Sequence, residues 1–127
     1  MVVQILGAAA GGGVPQWNCA CRQCAAARAG LLESRTQCSI AVTADERHWV
    51  LVNASPDLRS QMVQFRPKPR SQTREAPIEA ILLTDVDLDH TLGLFLLREN
   101  ELPILVHALE AIKQARGSRQ STKYTFT

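Results

Sequence analysis

One segment of this chain places four potential metal ligands within six residues: Asp85, Asp87, Asp89 and His90. An apolar run precedes them and a helix-like run follows, so they lie where a buried strand would turn into a helix. Carboxylate and imidazole groups suit zinc, iron or manganese, and this mixture does not select one of them. The alternative is an acidic turn in which Asp89 caps the helix and no metal binds. Four ligand-type side chains at one strand end favour the metal site.

A second cluster, Cys19, Cys21 and Cys24, has the spacing C-x-C-x-x-C near the N-terminus. Structural zinc sites are closed by four protein ligands, so a fourth must come from elsewhere. The candidates within the chain are Cys38, His48 and His107. The alternative is redox or disulfide chemistry, in which a Cys-x-x-Cys pair follows a strand directly and opens a helix. Because a glycine-rich loop and Trp17 intervene and a third thiol is present, the spacing favours zinc.

The glycine-rich loop, residues 7–15, follows the first predicted strand, as a phosphate-binding loop would. Its glycines match neither of the common nucleotide-binding patterns, and Pro15 blocks an immediate helix. We therefore predict a loop whose backbone approaches a metal site or a substrate closely.

Composition sets limits on the class of protein. A length of 127 residues predicts one domain, and no apolar run is long enough to span a membrane. Four cysteines, three of them clustered, fit a reducing cytoplasm better than a disulfide scaffold. The N-terminus has no basic stretch and enters a strand-like run at once, so we predict native structure rather than a secretion signal.

The net charge of +2 is unevenly distributed. Residues 113–127 carry +4 and the remainder of the chain −2. No basic face runs through the body, which argues against a nucleic-acid partner. The basic, polar tail, 113–127, is predicted to be disordered or a weak edge segment.

The hydrophobic pattern predicts an α/β (α+β) fold, a mixed sheet with helices packed on it. Strands are predicted at residues 2–6, 39–43, 49–53, 78–84 and 104–107. Helices are predicted at residues 21–29, 56–65, 92–98 and 109–116, with a loop at 66–76. The second and third strands form a hairpin, and Cys38 beside the second strand is predicted to be a small buried core residue.

Several stretches resemble the coenzyme PQQ synthesis protein B family, a branch of the metallo-β-lactamase superfamily. They are residues 7–21, 35–42, 53–59, 82–85, 89–94 and 97–99. The resemblance covers about residues 1–108 and implies a metallo-β-lactamase-like fold. Relatives of the expected four-layered αββα size are about twice this length. Residues 1–112 would therefore be a partial domain, the N-terminal half of the sandwich, from a truncated chain.

The superfamily pattern H-x-H-x-D-H aligns with residues 85–90, and Asp85 and Asp87 replace the two leading histidines. The resemblance implies that Asp89 and His90 hold an active-site metal, Fe²⁺ or another divalent ion. Asp85 and Asp87 would be further ligands, or bases that orient the ligands. The three clustered cysteines match structural zinc ligands of related phosphodiesterase branches, where a histidine from the C-terminal half completes the site.

The implied role is a step in the biosynthesis of pyrroloquinoline quinone (PQQ). Two versions stay open: metal-dependent hydroxylation of a tyrosine-derived peptide precursor, and carriage or transport of PQQ or its precursor. The implied partners are that precursor and other PQQ biosynthesis proteins. The alternatives are a metal-dependent, phosphodiesterase-like hydrolase and an inactive binding module. For this chain alone we predict no activity, and self-association through its uncovered sheet.

Overall fold

The computed structural model describes residues 1–67, 77–116 and 124–127, and one mixed sheet organises them. Its strands are β1 (Val2–Gly7), β2 (Ser39–Thr43), β3 (Trp49–Val52), β4 (Ile78–Leu82), β5 (Ile104–His107) and β6 (Tyr124–Phe126). They lie side by side in chain order. The first three strands are antiparallel and the pairs from β3 to β6 are parallel. The mixed sheet and the β2–β3 hairpin confirm the sequence prediction.

The helices fill the connections between the strands. They are α1 (Arg22–Arg28), α2 (Leu58–Phe65), α3 (Leu88–Thr91), a 3₁₀ helix (Leu92–Glu99) and α4 (Glu110–Arg116). Each parallel pair of strands is joined by a crossover that contains a helix, as parallel pairing requires. The helix predicted at residues 92–98 is of the tighter 3₁₀ type and continues directly from α3. None of the described helices is both long and apolar enough to cross a membrane.

One face of the sheet forms the hydrophobic core. Ala41, Leu51, Ile81 and Val106 have no exposed surface, and the strand register aligns them as neighbours across β2 to β5. Side chains alternate between the two faces of a strand, so these positions point to one side. Helical residues pack on them to complete the core: Leu58, Leu94 and Ile112.

The other face of the sheet is apolar but partly exposed. Val3 and Ile5 on β1 are 53% and 65% exposed, and Leu82 and Leu105 on β4 and β5 are 43% and 40% exposed. The strand register extends this face across β2 and β3 through partly buried residues such as Val52. The alternation that builds the core on one side therefore leaves a second apolar surface on the other.

Cys38 is exposed, so its prediction as a core residue is wrong. It immediately precedes Ser39, which is buried at the start of β2. Strand alternation gives Cys38 the same parity as Ile40 and Val42, which lie on the open face of the sheet.

The end of the C-terminal tail is ordered. Residues Tyr124–Phe126 form β6, which pairs in parallel with β5 at the edge of the sheet. Disorder of the tail as a whole stays a prediction, and β6 is an edge strand within it. Residues 117–123 lie outside the described residues, as does most of the loop predicted at 66–76. The domain boundary at residue 112 stays a prediction.

Candidate metal centres

Cys19, Cys21 and Cys24 bring their sulfur atoms together at the start of α1. The three sulfurs lie within 4.8 Å of one another. Cys21 is the N-cap of α1 and is extended, with φ −62° and ψ 161°, so the chain changes direction between the second and third thiols. Sulfurs around a tetrahedral zinc ion with bonds of about 2.3 Å lie roughly 3.8 Å apart. Small side-chain rotations would bring this donor set to that spacing, so the residues fit zinc.

The thiols of the cluster differ in their surroundings. The Cys24 backbone N–H is the largest cause that lowers the pKa of Cys21 to about 7, and hydrogen bonds with the Cys19 and Cys24 thiols add to it. The Gln16 N–H donates to the Cys24 sulfur at 3.4 Å and lowers the pKa of that thiol. Burial and the neighbouring thiols raise it more, so the pKa of Cys24 is raised. Zinc binds thiolates, and Cys21 loses its proton before Cys24.

None of the three candidates for a fourth zinc ligand joins the cluster among the described residues. Cys38 is exposed on the open side of the sheet. The His48 ring bonds Asp45 within the β2–β3 turn, and the His107 ring bonds the Thr127 hydroxyl at 2.7 Å. The described part of the chain therefore brings together three candidate zinc ligands.

Asp85 fixes the orientation of His90. The Nδ1 atom of His90 lies 2.7 Å and 2.9 Å from the two carboxylate oxygens of Asp85. The Thr84 hydroxyl and the Asp87 backbone N–H donate to the same carboxylate, at 2.7 Å and 3.0 Å. Burial acts to raise the pKa of Asp85, but these hydrogen bonds outweigh it and hold the pKa below its usual value. The ionised carboxylate favours a proton on Nδ1 and leaves the Nε2 lone pair for a metal.

The Nε2 atom of His90 faces Asp89. It lies 3.7 Å from Oδ2 of Asp89, and both side chains are half-buried. A metal bound by both groups at about 2.1 Å would bring these atoms to roughly 3.0–3.5 Å, so a small rotation is enough. Within the described ranges, no third ligand-type side chain completes a cluster with this pair.

Asp87 contributes through its backbone. Its side chain is exposed and makes no capping hydrogen bond. Its carbonyl accepts hydrogen bonds from the His90 N–H at 3.0 Å and from the Thr91 hydroxyl at 2.8 Å. Asp87 is the N-cap of α3, whereas the metal-free alternative gave that place to Asp89.

Asn53 anchors the Asp-rich loop to the end of β3. It is buried and has a left-handed backbone, with φ 63°. Its Oδ1 accepts from the Thr84 N–H at 3.0 Å, and its Nδ2 donates to the Thr84 hydroxyl at 3.0 Å. Thr84 in turn donates to Asp85, which bonds His90. A continuous relay of four side chains therefore runs from the sheet to the candidate metal ligand.

The glycine-rich loop approaches this site at Gly11. A β-carbon on Gly11 would lie 2.9 Å from Oδ2 of Asp89, so only glycine fits without a shift. The side-chain amide of Gln37 donates to the Gly11 carbonyl. Val14 and Arg35 exchange backbone hydrogen bonds of 2.8 Å and 2.7 Å. The close backbone approach predicted for this loop occurs at Asp89.

Sequence reasoning missed the supporting residues of the site. Thr84 directly precedes Asp85, which is a usable signal because a hydroxyl there can reach the next carboxylate. Asn53 ends a strand, and asparagine tolerates the left-handed conformation better than most residues. Gln37 carries no comparable signal, since its contact with Gly11 depends on the fold.

Comparison with known proteins gives the same fold and a family. Residues 48–121 match the family model of the beta-lactamase superfamily domain. The chain is 49% identical over 117 residues to coenzyme PQQ synthesis protein B of Methylococcus capsulatus. This match covers 90% of this chain and 38% of that protein. It is 55% identical over 102 residues to the protein of that name from Pseudomonas fluorescens, covering 78% of this chain and 34% of the relative. The chain thus spans less than half the length of these relatives.

Solved structures support the fold. A crystal structure of Zn²⁺-bound PqqB from Methylobacterium extorquens is 42% identical, with a TM-score of 0.87, and the match covers 100% of this chain and 46% of that one. A diphosphatase of the PhnP family superposes with a TM-score of 0.74 at 23% identity, over 98% of this chain and 49% of that one. At that identity the second likeness concerns the fold alone.

Proposed function

Because this chain belongs to the beta-lactamase superfamily, we propose that it forms the metal-binding part of a protein of PQQ biosynthesis. Its similarity to coenzyme PQQ synthesis protein B supports the pathway. The observation that carries metal-dependent chemistry is the His90 ring, fixed by Asp85 on one nitrogen and facing Asp89 with the other. The partners that we propose are the peptide-derived precursor and other proteins of the pathway. The four free cysteines fit a reducing compartment, so we propose the cytoplasm as the location.

The reaction that we propose is hydroxylation of the tyrosine-derived part of a peptide precursor by dioxygen. One oxygen atom would enter a C–H bond, and the other would leave as water with two electrons and two protons from an external reductant. A divalent metal such as Fe²⁺ would supply redox chemistry, with open positions for the reactants, when few protein ligands hold it. Asp89 and His90 would hold that metal, and Asp85 would keep the imidazole in the correct tautomer. Asp87, exposed on the same loop, would act as a base or a further ligand.

Cys19, Cys21 and Cys24 have a separate role in this proposal. They would hold a structural zinc that fixes the loop between the glycine-rich segment and α1. The donor set supports this assignment, because clustered thiolates select zinc over the hard divalent metals. The crystal structure of Zn²⁺-bound PqqB is consistent with metal binding in the family.

A chimera tests the proposed function. The 117 matched residues would replace the corresponding segment of the Methylococcus capsulatus relative, in a strain that lacks its own copy. PQQ production would be measured by activation of a PQQ-dependent dehydrogenase. We expect the chimera to restore PQQ, and the double substitution Asp89→Asn and His90→Gln to remove most of it.

The surface pair Asp45 and His48 provides the matched control. It is also a carboxylate–imidazole pair in hydrogen-bond contact, but it lies in the exposed β2–β3 turn. Asp45→Asn with His48→Gln should leave PQQ production unchanged. If the Asp89 and His90 variant makes as much PQQ as the unaltered chimera, metal-dependent hydroxylation is wrong and carriage of PQQ or its precursor becomes the better account.

A further inference from the structure

We propose that Arg28 is the positioning residue of the zinc-binding cysteines. Its guanidinium group holds residues 16–21, the knuckle loop, in the conformation that lets the three thiols share one ion. This inference rests on the proposed zinc centre, and it assigns a role to a residue that contributes no ligand atom.

Arg28 gathers three carbonyl groups of the knuckle loop. It is the last residue of α1, and its Nη1 donates to the Cys19 carbonyl at 2.6 Å. Its Nη2 donates to the Gln16 carbonyl and, at 3.4 Å, to the Trp17 carbonyl. These acceptors lie nine to twelve residues before it in the sequence. A planar guanidinium can serve several acceptors from one rigid fork, which an ammonium cannot do.

Gln16 links the guanidinium to the cysteines. Its carbonyl, which accepts from Arg28, also accepts from the Cys19 backbone N–H at 3.1 Å. Its own N–H donates to the Cys24 sulfur at 3.4 Å. A change in the position of Gln16 would therefore disturb the first and third thiols together.

Side-chain packing gives the knuckle loop little support. Trp17 is 87% exposed, and Asn18 and Ala20 are also exposed. Since side-chain packing holds the loop only weakly, the hydrogen bonds from Arg28 are a main constraint on its conformation. Three thiolates with one Zn²⁺ carry a net charge of −1, and a guanidinium beside them offsets it.

An alternative role for Arg28 is a generic one at the end of α1. Basic side chains near a helix C-terminus interact favourably with the last carbonyls and with the helix dipole. The hydrogen bonds of Arg28 go to the knuckle loop instead, and the cap of α1 is closed by backbone N–H groups that bond the Ala25 and Ala27 carbonyls. The geometry therefore favours the positioning role.

Zinc affinity, measured by competition with a chromophoric chelator, tests the inference on the purified chain. We expect Arg28→Ala to weaken zinc binding by about 10- to 100-fold, the usual effect of removing a group that orients metal ligands. Arg28→Lys keeps the positive charge but lacks the planar guanidinium fork. Its zinc affinity should lie between that of the unaltered chain and that of Arg28→Ala. Arg22→Ala is the matched control, since this exposed arginine lies on the same helix next to Cys21 and its loss changes the charge equally.

Amide hydrogen exchange of the metal-free chain gives a second readout. Arg28→Ala should speed exchange in residues 16–21, whereas Arg22→Ala should not. Equal zinc affinity and equal exchange for the two alanine variants would overturn the role of Arg28 while leaving the zinc centre intact. If the unaltered chain binds no zinc, both the zinc centre and this role of Arg28 are wrong.

Discussion

Among the described residues, His48 and His90 each have a ring nitrogen hydrogen-bonded to a carboxylate, and their surroundings distinguish a candidate site from a turn. Asp45 accepts from the His48 ring and from the backbone N–H groups of Arg47 and His48, so its carboxylate closes the β2–β3 turn. Asp85 also holds a histidine, but the second nitrogen of that ring faces another carboxylate. A histidine that is held by one carboxylate is therefore a candidate metal ligand when its second ring nitrogen faces another ligand group, as in His90.

Asp45 should make stability depend on pH. Hydrogen bonds from the His48 side chain, then from the backbone of His48 and Arg47, hold the pKa of this carboxyl well below its usual value. A lowered folded-state pKa gives stability that is present above the unfolded pKa of about 4 and is lost as the pH falls. Asp45→Asn should therefore lower the thermal midpoint at pH 7, and the difference from the unaltered chain should shrink towards pH 3. A difference that grows at low pH would contradict this.

The thiol cluster should bind one zinc ion per chain. Cys21→Ser with Cys24→Ser removes two of three donors, so bound zinc should disappear and the thermal midpoint should fall, because metal binding is coupled to folding. Zinc content by atomic emission and a thermal melt measure both effects. Cys38→Ser is the control, since that exposed thiol lies outside the cluster and should leave the zinc content unchanged. Full zinc content in the double variant would remove the thiol site from consideration.

The Asp89–His90 pair should bind a divalent metal more weakly than the thiols do. Two ligands from the described chain give fewer bonds than three, and carboxylate and imidazole hold the ion less tightly than thiolates hold zinc. Titration with Mn²⁺ or anaerobic Fe²⁺ should show a weaker site that Asp89→Ala with His90→Ala removes. The same titration of Asp45→Ala with His48→Ala should match the unaltered chain. Identical curves for all three proteins would make the Asp-rich loop purely structural.

Among the elements, the junction of β3 with the Asp-rich loop depends on Asn53. Asn53→Ala removes the side-chain hydrogen bonds to Thr84 and replaces asparagine at φ 63° with a residue that tolerates the left-handed backbone less well. Loss of a hydrogen bond to Thr84, which is exposed, costs about 0.5–1.5 kcal/mol, and the left-handed backbone adds about 1 kcal/mol. Stability measured by urea unfolding should fall accordingly, and the weaker metal site should weaken further because Asp85 loses its support.

Asn53→Gly separates the two causes. Glycine accepts the left-handed backbone but cannot bond Thr84, so it should recover part of the stability and none of the metal affinity. Equal metal affinity for the glycine variant and the unaltered chain would show that the Asn53–Thr84 contact does not support the site.

Local patterns predicted the elements better than the contacts between them. Strands β2 and β3 follow from alternation, because burial on one face repeats every second residue. The bond from Asn53 to Thr84 spans 31 residues, and that from Arg28 to Gln16 requires α1 to fold back over the loop. Such contacts are set by the three-dimensional fold, so spacing identified the candidate ligands but not the groups that orient them. The exposure of Cys38 was missed because alternation alone does not say which face is covered.

At the scale of the whole molecule, the two faces of the sheet are unequal. The helices cover the face of Leu51, Ile81 and Val106. The opposite face presents apolar side chains at intervals from β1 to β5, and its outer members are largely exposed. Contiguous apolar surface of this kind marks an interaction site or a tendency to associate.

A protein made of these 127 residues alone should therefore self-associate and should not turn over a peptide precursor. Burial of the exposed face, with Ile5 and Leu105 among its members, favours pairing of sheets between copies, and the edge strand β1 offers unpaired backbone groups for a second route. Sedimentation velocity should show oligomers that dissociate when Ile5→Thr and Leu105→Thr are introduced. Val63→Thr with Leu109→Thr is the matched control, because these exposed apolar residues lie outside the sheet and should leave the oligomers in place. A monomer with one cooperative unfolding transition would instead mean that a single covered face is enough to stabilise this sheet.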